Sequence, residues 1–205
     1  EMSASLVGSE MCIRDSDNNC TQNKNDTLKL KLILASGSKQ RQDIFKNIGL
    51  KYEVIKSVVE EKSDSTEPSE YVKDLSKDKA KSVASQINEK AIIIAADSII
   101  YMNGKIYEKP KSKEEAYQNL KEMSGKVTYA VTGVTIKDLY KNKEICFADI
   151  AEVHLKEIDD EDIKWYVENE KDIFNRCAYA ILGKASIFLD KVNGCLLYTS
   201  PSPRD

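Results

Sequence analysis

The chain has 205 residues, a formal net charge of −3, and 32% charged against 41% hydrophobic residues. That length holds one sizeable core, or two lobes about a cleft, and the charge balance supplies no footprint for a nucleic-acid polymer or an anionic membrane. No apolar run approaches the roughly 18–20 residues that span a bilayer, and no basic-then-apolar leader is present, so a cytoplasmic address is the expectation.

Residues 1–27 are polar and without periodicity, and 196–205 (LLYTSPSPRD) are rich in Pro and Ser. Both are expected to be disordered or foreign to the domain, which is read over 28–195. Within it, 28–36 (LKLKLILAS) alternates and then turns continuously apolar, the pattern of a first strand. The following GSKQRQDIFKNIGL predicts a helix with Ile44, Phe45 and Ile48 on one face and Gly49 as its stop. A strand, a Ser-Gly-Ser turn and a helix N-terminus present free backbone N–H groups as an anion cradle. Ser36 and Ser38 add hydroxyls and Arg41 a fork for phosphate oxygens; a serine N-cap beside a surface arginine is the plainer reading of the same residues. The GxxxxGK[ST] spacing of a P-loop is absent.

Residues 51–57 (KYEVIKS) predict a short second strand. Glu60 and Glu61 follow it, either a solvated acidic loop or carboxylates placed for a metal or substrate. Pro68 opens a helix to about residue 88, with an apolar stripe of Val72, Leu75, Val83 and Ile87. Lys79 shares that stripe, and an inward lysine either snorkels or reaches an anion.

In 91–110 (AIIIAADSIIYMNGKIYEKP) an isoleucine-rich buried strand carries Asp97 in its middle. A desolvated, unpaired carboxylate costs several kcal/mol, so Asp97 meets a cation, donors or water at a cleft, unless it sits on an exposed edge. Asn103-Gly104 is a two-residue hairpin signal, and the return arm brings Lys109 back along the strand. An acid and a lysine on a strand scaffold suggest metal-assisted chemistry on an anionic substrate. Ser112-x-x-Glu115 reads as a capping box for a helix ending near Gly125, with Ala116, Leu120 and Met123 inward. Residues 126–136 and 143–156 alternate as an antiparallel pair joined by DLYKN. A short acidic-start helix is expected over 159–169, a loop over 176–183, and a last strand over 185–192 (ASIFLDKV).

Five cysteines, Cys12, Cys20, Cys146, Cys177 and Cys195, form no CxxC pair, which argues against a zinc site or a disulfide framework. The single histidine, His154, lies in a strand-like stretch, so histidine metal sites and Ser-His-Asp triads lack support.

Taken together, LILASGSKQRQDIFKNIGLKYEVIKS, EYVKDLSKDKA and AADSII…GKIYEKPKSKEEAYQNLKEMSGKVTYAVTGV resemble the Maf family of nucleoside triphosphate pyrophosphatases. A looser match continues through EIDDEDIKWYVEN and AYAILGKASIFLDKVNG, so the resemblance covers most of 28–194. It implies an α/β fold, a two-lobed mixed sheet with flanking helices around a central cleft, related to the inosine triphosphatase-like fold. It also implies a cut between the α- and β-phosphates of a pyrimidine or modified nucleotide, dependent on a divalent metal cation such as Mg²⁺ or Mn²⁺. By resemblance Ser36, Ser38 and Arg41 match the phosphate-binding motif, Glu61 the acidic residue after the second strand, and Lys79 the lysine of the long helix. Asp97 matches the carboxylate of the GAD[ST]-like motif and Lys109 the lysine of the GKP-like motif. The implied chemistry has Asp97 activating water or holding the metal with Glu61, while Lys79, Lys109 and Arg41 counter phosphoryl charge.

Lys39-Gln40 stands where one subgroup has Pro-Arg, and Leu182 where it has a glutamine, so the base preference is open. The family continues past Asn193-Gly194 with an Asn-Val-x-Gly-Leu-Pro stretch and a final helix that 196–205 does not match, so the domain reads as truncated. A homodimer is expected from the resemblance alone. A nucleotide-binding regulator of cell division without turnover is the alternative function. A phosphatase of another kind lacks its DxDxT nucleophile here.

Overall fold

The two most apolar stretches of the sequence lie side by side. The structure, a computed structural model, describes residues 31–59, 62–171, 173–175, 179 and 183–194. In it β1 (Lys31–Leu34) pairs in parallel with β3 (Ala91–Met102), Lys31 opposite Ala91 and Leu34 opposite Ile94. β2 (Glu53–Val54) lies parallel outside β1, and β4 (Lys105–Tyr107) folds back on the end of β3. β5 (Val127–Asp138), β6 (Lys143–Leu155) and β7 (Leu189–Asn193) continue antiparallel on the other side. The order β2-β1-β3-β5-β6-β7, with β4 beside β3, makes the mixed sheet that the resemblance implies.

Local chemistry sets the elements. Asn103 and Gly104 both take positive φ (52° and 81°), the backbone of a tight hairpin turn whose twist matches the strands. α1 (Lys39–Asn47) follows the Ser-Gly-Ser turn. α2 (Pro68–Ala84) starts on its proline, and the Glu67 carboxylate accepts the Glu70 N–H at 2.7 Å. α3 (Lys113–Met123) is capped by Ser112, whose Oγ accepts the Glu115 N–H at 3.1 Å. The Glu115 carboxylate takes the Lys111 N–H instead of completing a reciprocal box with Ser112. α4 (Asp160–Asn169) carries Asp160, Glu161 and Asp162 in its first turn, against the positive end of its dipole.

Successive β3 side chains point to opposite faces. Ala91, Ile93, Ala95 and Ile99 pack with Val72, Leu75, Ala80 and Val83 of α2. Ile100 and Met102, on the other face and at the far end, join Leu120 and Met123 of α3 and Ile163 and Tyr166 of α4. The two lobes are these two apolar bodies, joined through β3.

Several expectations are revised. α2 ends at Ala84, short of residue 88, because Ser85 Oγ and Gln86 Nε2 both turn back onto the Ser82 carbonyl. The second strand is only two residues long, since β1 offers it just Ile33 and Leu34 as partners. α1 buries no residue fully and Ile48 is 53% exposed, so its apolar face is only partly covered. The last strand begins at Leu189; Lys184–Phe188 coil as a 3₁₀ turn that sinks Ala185 and Phe188 into the α4 core. Of the loop over 176–183, Tyr179 is buried, its hydroxyl sharing a 2.6 Å hydrogen bond with Thr128, and burial pushes its pKa up to about 12.

One glycine decides a close approach. A Cβ on Gly133 of β5 would stand 2.3 Å from the Val72 carbonyl oxygen of α2. Gly133 lies directly opposite Asp97 in the sheet, so the helix rests on the backbone at the level of the carboxylate.

Candidate active site

The same edge of β3 is used twice. Residues 91–94 pair with β1 and 100–102 with β4, while β5 backs the whole stretch on the other edge. Among the described residues, 95–99 have no strand partner on that edge, a notch of about 16 Å at the usual rise of a strand. Asp97 stands at its midpoint.

Asp97 points to the face that α2 covers, between Ala95 and Ile99, and is only 7% exposed. Lys79 comes from the middle of the α2 stripe, is 6% exposed, and its Nζ donates to Asp97 Oδ1 as an ion pair. The aspartate is therefore not an exposed edge residue, and the lysine reaches an anion rather than water. Each group satisfies the other in a place where either alone would be costly.

A cavity of about 90 Å³ opens on the pair, lined by Asp97, Ser98, Glu108 and Lys109 with Tyr71 of α2. Tyr71 donates its hydroxyl to Glu108 Oε1 at 2.7 Å. The arm that carries Glu108 and Lys109 is itself tied down: Lys105 Nζ and the Tyr107 hydroxyl both donate to Glu122 Oε2 of α3 at 2.8 Å. Those two bonds, the lysine's foremost, hold the Glu122 carboxyl below its usual range, while burial first and then the bond to Glu122 raise the Tyr107 hydroxyl.

At the other end of the notch β1 runs out into Ser36. Its Oγ accepts from the Ser38 N–H and from Arg41 Nη1, each at 3.2 Å, so its own hydrogen is directed elsewhere. Ser38 has the extended backbone of an N-cap, but its hydroxyl makes no capping bond. The first intrahelical bond runs from Gln42 N–H to the Ser38 carbonyl, which leaves the earlier N–H groups of α1 outside the helical ladder. Arg41 reaches past Ser36 to the strand, with Nη1 on the Ala96 carbonyl at 2.8 Å and Nη2 on Ser98 Oγ at 3.0 Å; Ser98 Oγ pairs in turn with Thr132 Oγ1 at 2.9 Å.

The structure thus gathers Ser36, Ser38, Arg41, Lys79, Asp97 and Lys109 about one notch. Glu61 lies outside the described residues. Among those described, no three His, Cys, Asp or Glu side chains group as a metal cage. Sequence reasoning passed over Tyr71, Ser98, Thr132 and Glu108. The only sequence signal for Glu108 is its place beside Lys109, and for Tyr71 its place beside the α2 stripe.

A larger depression of about 460 Å³ lies along the solvent side of α2, bordered by Lys62, Ser63, Asp74, Lys77, Asp78 and Lys81. Its charges answer one another, Lys77 with Asp74 and Lys81 with Asp78, and Asp74 accepts from Ser63 and Ser65. Nothing there converges on a ligand, so the chemistry is assigned to the smaller cavity.

Fold and site together define an α/β protein whose sheet is notched at a buried acid–lysine pair, with a strand–turn–helix amide cradle beside it. A family model described as Maf-like protein matches residues 31–198. The chain is 39% identical over 165 residues to the dTTP/UTP pyrophosphatase of Thermoanaerobacter sp. (strain X514), covering 80% of this chain and 86% of that one. It is 38% identical over 166 residues to the dTTP/UTP pyrophosphatase of Carboxydothermus hydrogenoformans, covering 81% and 89%. The dTTP/UTP pyrophosphatase of Fusobacterium nucleatum is similar at 38% over 164 residues, covering 80% and 84%. The chain belongs to the Maf family. No helix among the described residues is long and apolar enough to cross a membrane.

Proposed function

We propose that this protein hydrolyses pyrimidine nucleoside triphosphates, dTTP and UTP, between the α- and β-phosphates, giving the monophosphate and pyrophosphate. The observation that carries the reading is the buried Asp97–Lys79 pair facing a cavity that also holds Lys109, in a chain whose relatives bear that activity in their names.

A nucleotide site takes about 300–1,000 Å³, far more than the cavity at Asp97. The cavity therefore receives the reacting phosphates, and the rest of the nucleotide extends along the notch. Ser36, Ser38 and the first amides of α1 meet phosphate oxygens at one end, where Arg41 also stands. Lys109 meets them at the other. Lys79 fixes one carboxylate oxygen of Asp97, and the second takes the proton of the attacking water. Lys79 and Lys109 then face the negative charge that gathers on the phosphoryl oxygens as the bridge to pyrophosphate breaks.

A divalent cation, Mg²⁺ or Mn²⁺, belongs to the same proposal. Such ions are held by one or two carboxylates, with substrate phosphates and waters completing the shell. Asp97 and Glu108 on one cavity wall fit that donor set, and the resemblance adds Glu61. Bound there, the cation supplies charge neutralisation on the phosphates.

The test is pyrophosphate release from dTTP, UTP, CTP, 7-methyl-GTP and ATP with Mg²⁺ or Mn²⁺, with Asp97→Asn alongside. Release from dTTP and UTP, lost in the variant, is the expected outcome. Near-normal turnover by Asp97→Asn refutes the assignment of Asp97. Binding of nucleotide without turnover by the unaltered protein turns the reading to a nucleotide-binding regulator.

A further inference from the structure

We infer that Arg41 is a positioning residue: it stands in for the missing strand beside residues 95–99 and sets Asp97 in place, rather than serving as a ligand of the phosphates. The inference rests on the hydrolytic function proposed above.

In a sheet, the carbonyls of an open edge need donor partners from outside the ladder. In the notch, the Ala96 carbonyl finds Arg41 Nη1 at 2.8 Å, and two residues on, Ser98 Oγ finds Arg41 Nη2 at 3.0 Å. The two anchors bracket Asp97 on either side. The planar guanidinium matches that spacing with a fixed fork, which a lysine ammonium lacks. Ser98 passes the constraint to β5 through Thr132 Oγ1, and Ser36 closes it on β1 through the second hydrogen of Nη1.

The clamp has two jaws. Lys79 comes from α2 and holds the Asp97 side chain; Arg41 comes from α1 and holds the backbone carbonyl of the residue before it and the side-chain hydroxyl of the residue after it. A phosphate takes an arginine through its fork, and here the Nη1–Nη2 fork is turned onto the strand, with both Nη1 hydrogens on protein oxygens. A carboxylate that must accept a proton in line is sensitive to small displacements, on the order of 100-fold in rate for about 1 Å. Arg41 thus acts on the chemical step through Asp97.

Arg41→Ala, Arg41→Lys and Ser98→Ala, with the Arg41→Ala/Ser98→Ala double variant, separate this from phosphate binding. Steady-state kinetics on dTTP are read beside hydrogen exchange of the 95–99 segment and calorimetric binding of a non-hydrolysable α,β-methylene dTTP analogue. For Arg41→Ala, kcat is expected to fall about 100-fold with KM and analogue affinity within about threefold. Exchange of 95–99 is expected to quicken about tenfold. Arg41→Lys does not rescue. Ser98→Ala shows a smaller change of the same kind, and the double variant is no slower than Arg41→Ala. Analogue affinity weakened about tenfold or more, or unchanged exchange of 95–99, overturns the inference. If the unaltered protein neither releases pyrophosphate nor binds the analogue, the hydrolytic reading fails on that result, and the exchange comparison still decides the clamp by itself.

Discussion

The Lys79–Asp97 pair is where stability and chemistry compete. Its side chains are 8% and 10% exposed, so both charges are largely out of water, and deleting one partner of such a pair costs about 3–5 kcal/mol because the other stays buried and unpaired. Asp97→Asn keeps the shape and an acceptor oxygen for Lys79 but removes the compensating charge, so a loss near 3 kcal/mol is expected. Lys79→Met leaves the carboxylate with no ammonium and should cost about as much. The double variant places two neutral groups together and should be less damaged than the two losses added, with a coupling of about 2 kcal/mol. Urea unfolding of the four proteins reads these differences directly, provided the denaturant slope is shared. Losses below about 1 kcal/mol, or strict additivity, would show that water reaches the pair, and with it the argument for a desolvated, lysine-held base collapses. Because the pair is buried, a variant at Asp97 changes stability as well as turnover, and the two are measured side by side.

Lys109 offers the cleaner separation. It is an exposed residue on the cavity wall, so Lys109→Ala should leave unfolding within about 0.5 kcal/mol while pyrophosphate release falls on the order of 100-fold. Gly133→Ala puts a methyl group against the Val72 carbonyl and pushes α2 away from the sheet; a loss of about 2–3 kcal/mol in urea is expected, with lower turnover because α2 carries Lys79. The Ser65 hydroxyl, followed by that of Ser63, holds the Asp74 carboxyl below its usual range. A depressed carboxyl stabilises the fold above its unfolded value of about 3.9 and loses that contribution as pH falls through the folded value. Asp74→Asn should therefore flatten the loss of melting temperature below about pH 4, with no effect on that slope near neutrality.

Much of the architecture was legible because its determinants are local. Asn103-Gly104 fixes a hairpin within two residues, Ser112 caps a helix within three, and the alternation of β5 and β6 shows which side chains face a core. Lys79 and Asp97 were legible for the opposite reason: each breaks its own apolar pattern, and the structure resolves both irregularities in one contact. The partial coverage of Ile48 and the early end of α2 depend on what packs nearby or on competing side-chain hydrogen bonds, which periodicity does not register. Two strands from distant parts of the chain sharing one edge of β3 is a property of register, invisible before pairing is known. The targets of Arg41 follow from that gap, so the sequence could show an arginine at a helix start without showing which way it turns. Tyr71 and Glu108 are far apart in sequence and joined by one hydrogen bond, and apart from their neighbours Val72 and Lys109 neither carried a local signature.

The notch in β3 also bears on how such a site could be built or abolished. Most clefts are made by adding material, a loop or a second domain that overhangs the first. This one is made by omission: β1 stops at Leu34, β4 pairs only from Tyr107, and the unbroken backing of β5 keeps the gap from collapsing. Its width is counted in residues of two flanking strands, and it changes in steps of strand pairing rather than by gradual opening. Two more residues of pairing from each side would narrow it to Asp97 alone without altering the packed faces above or below.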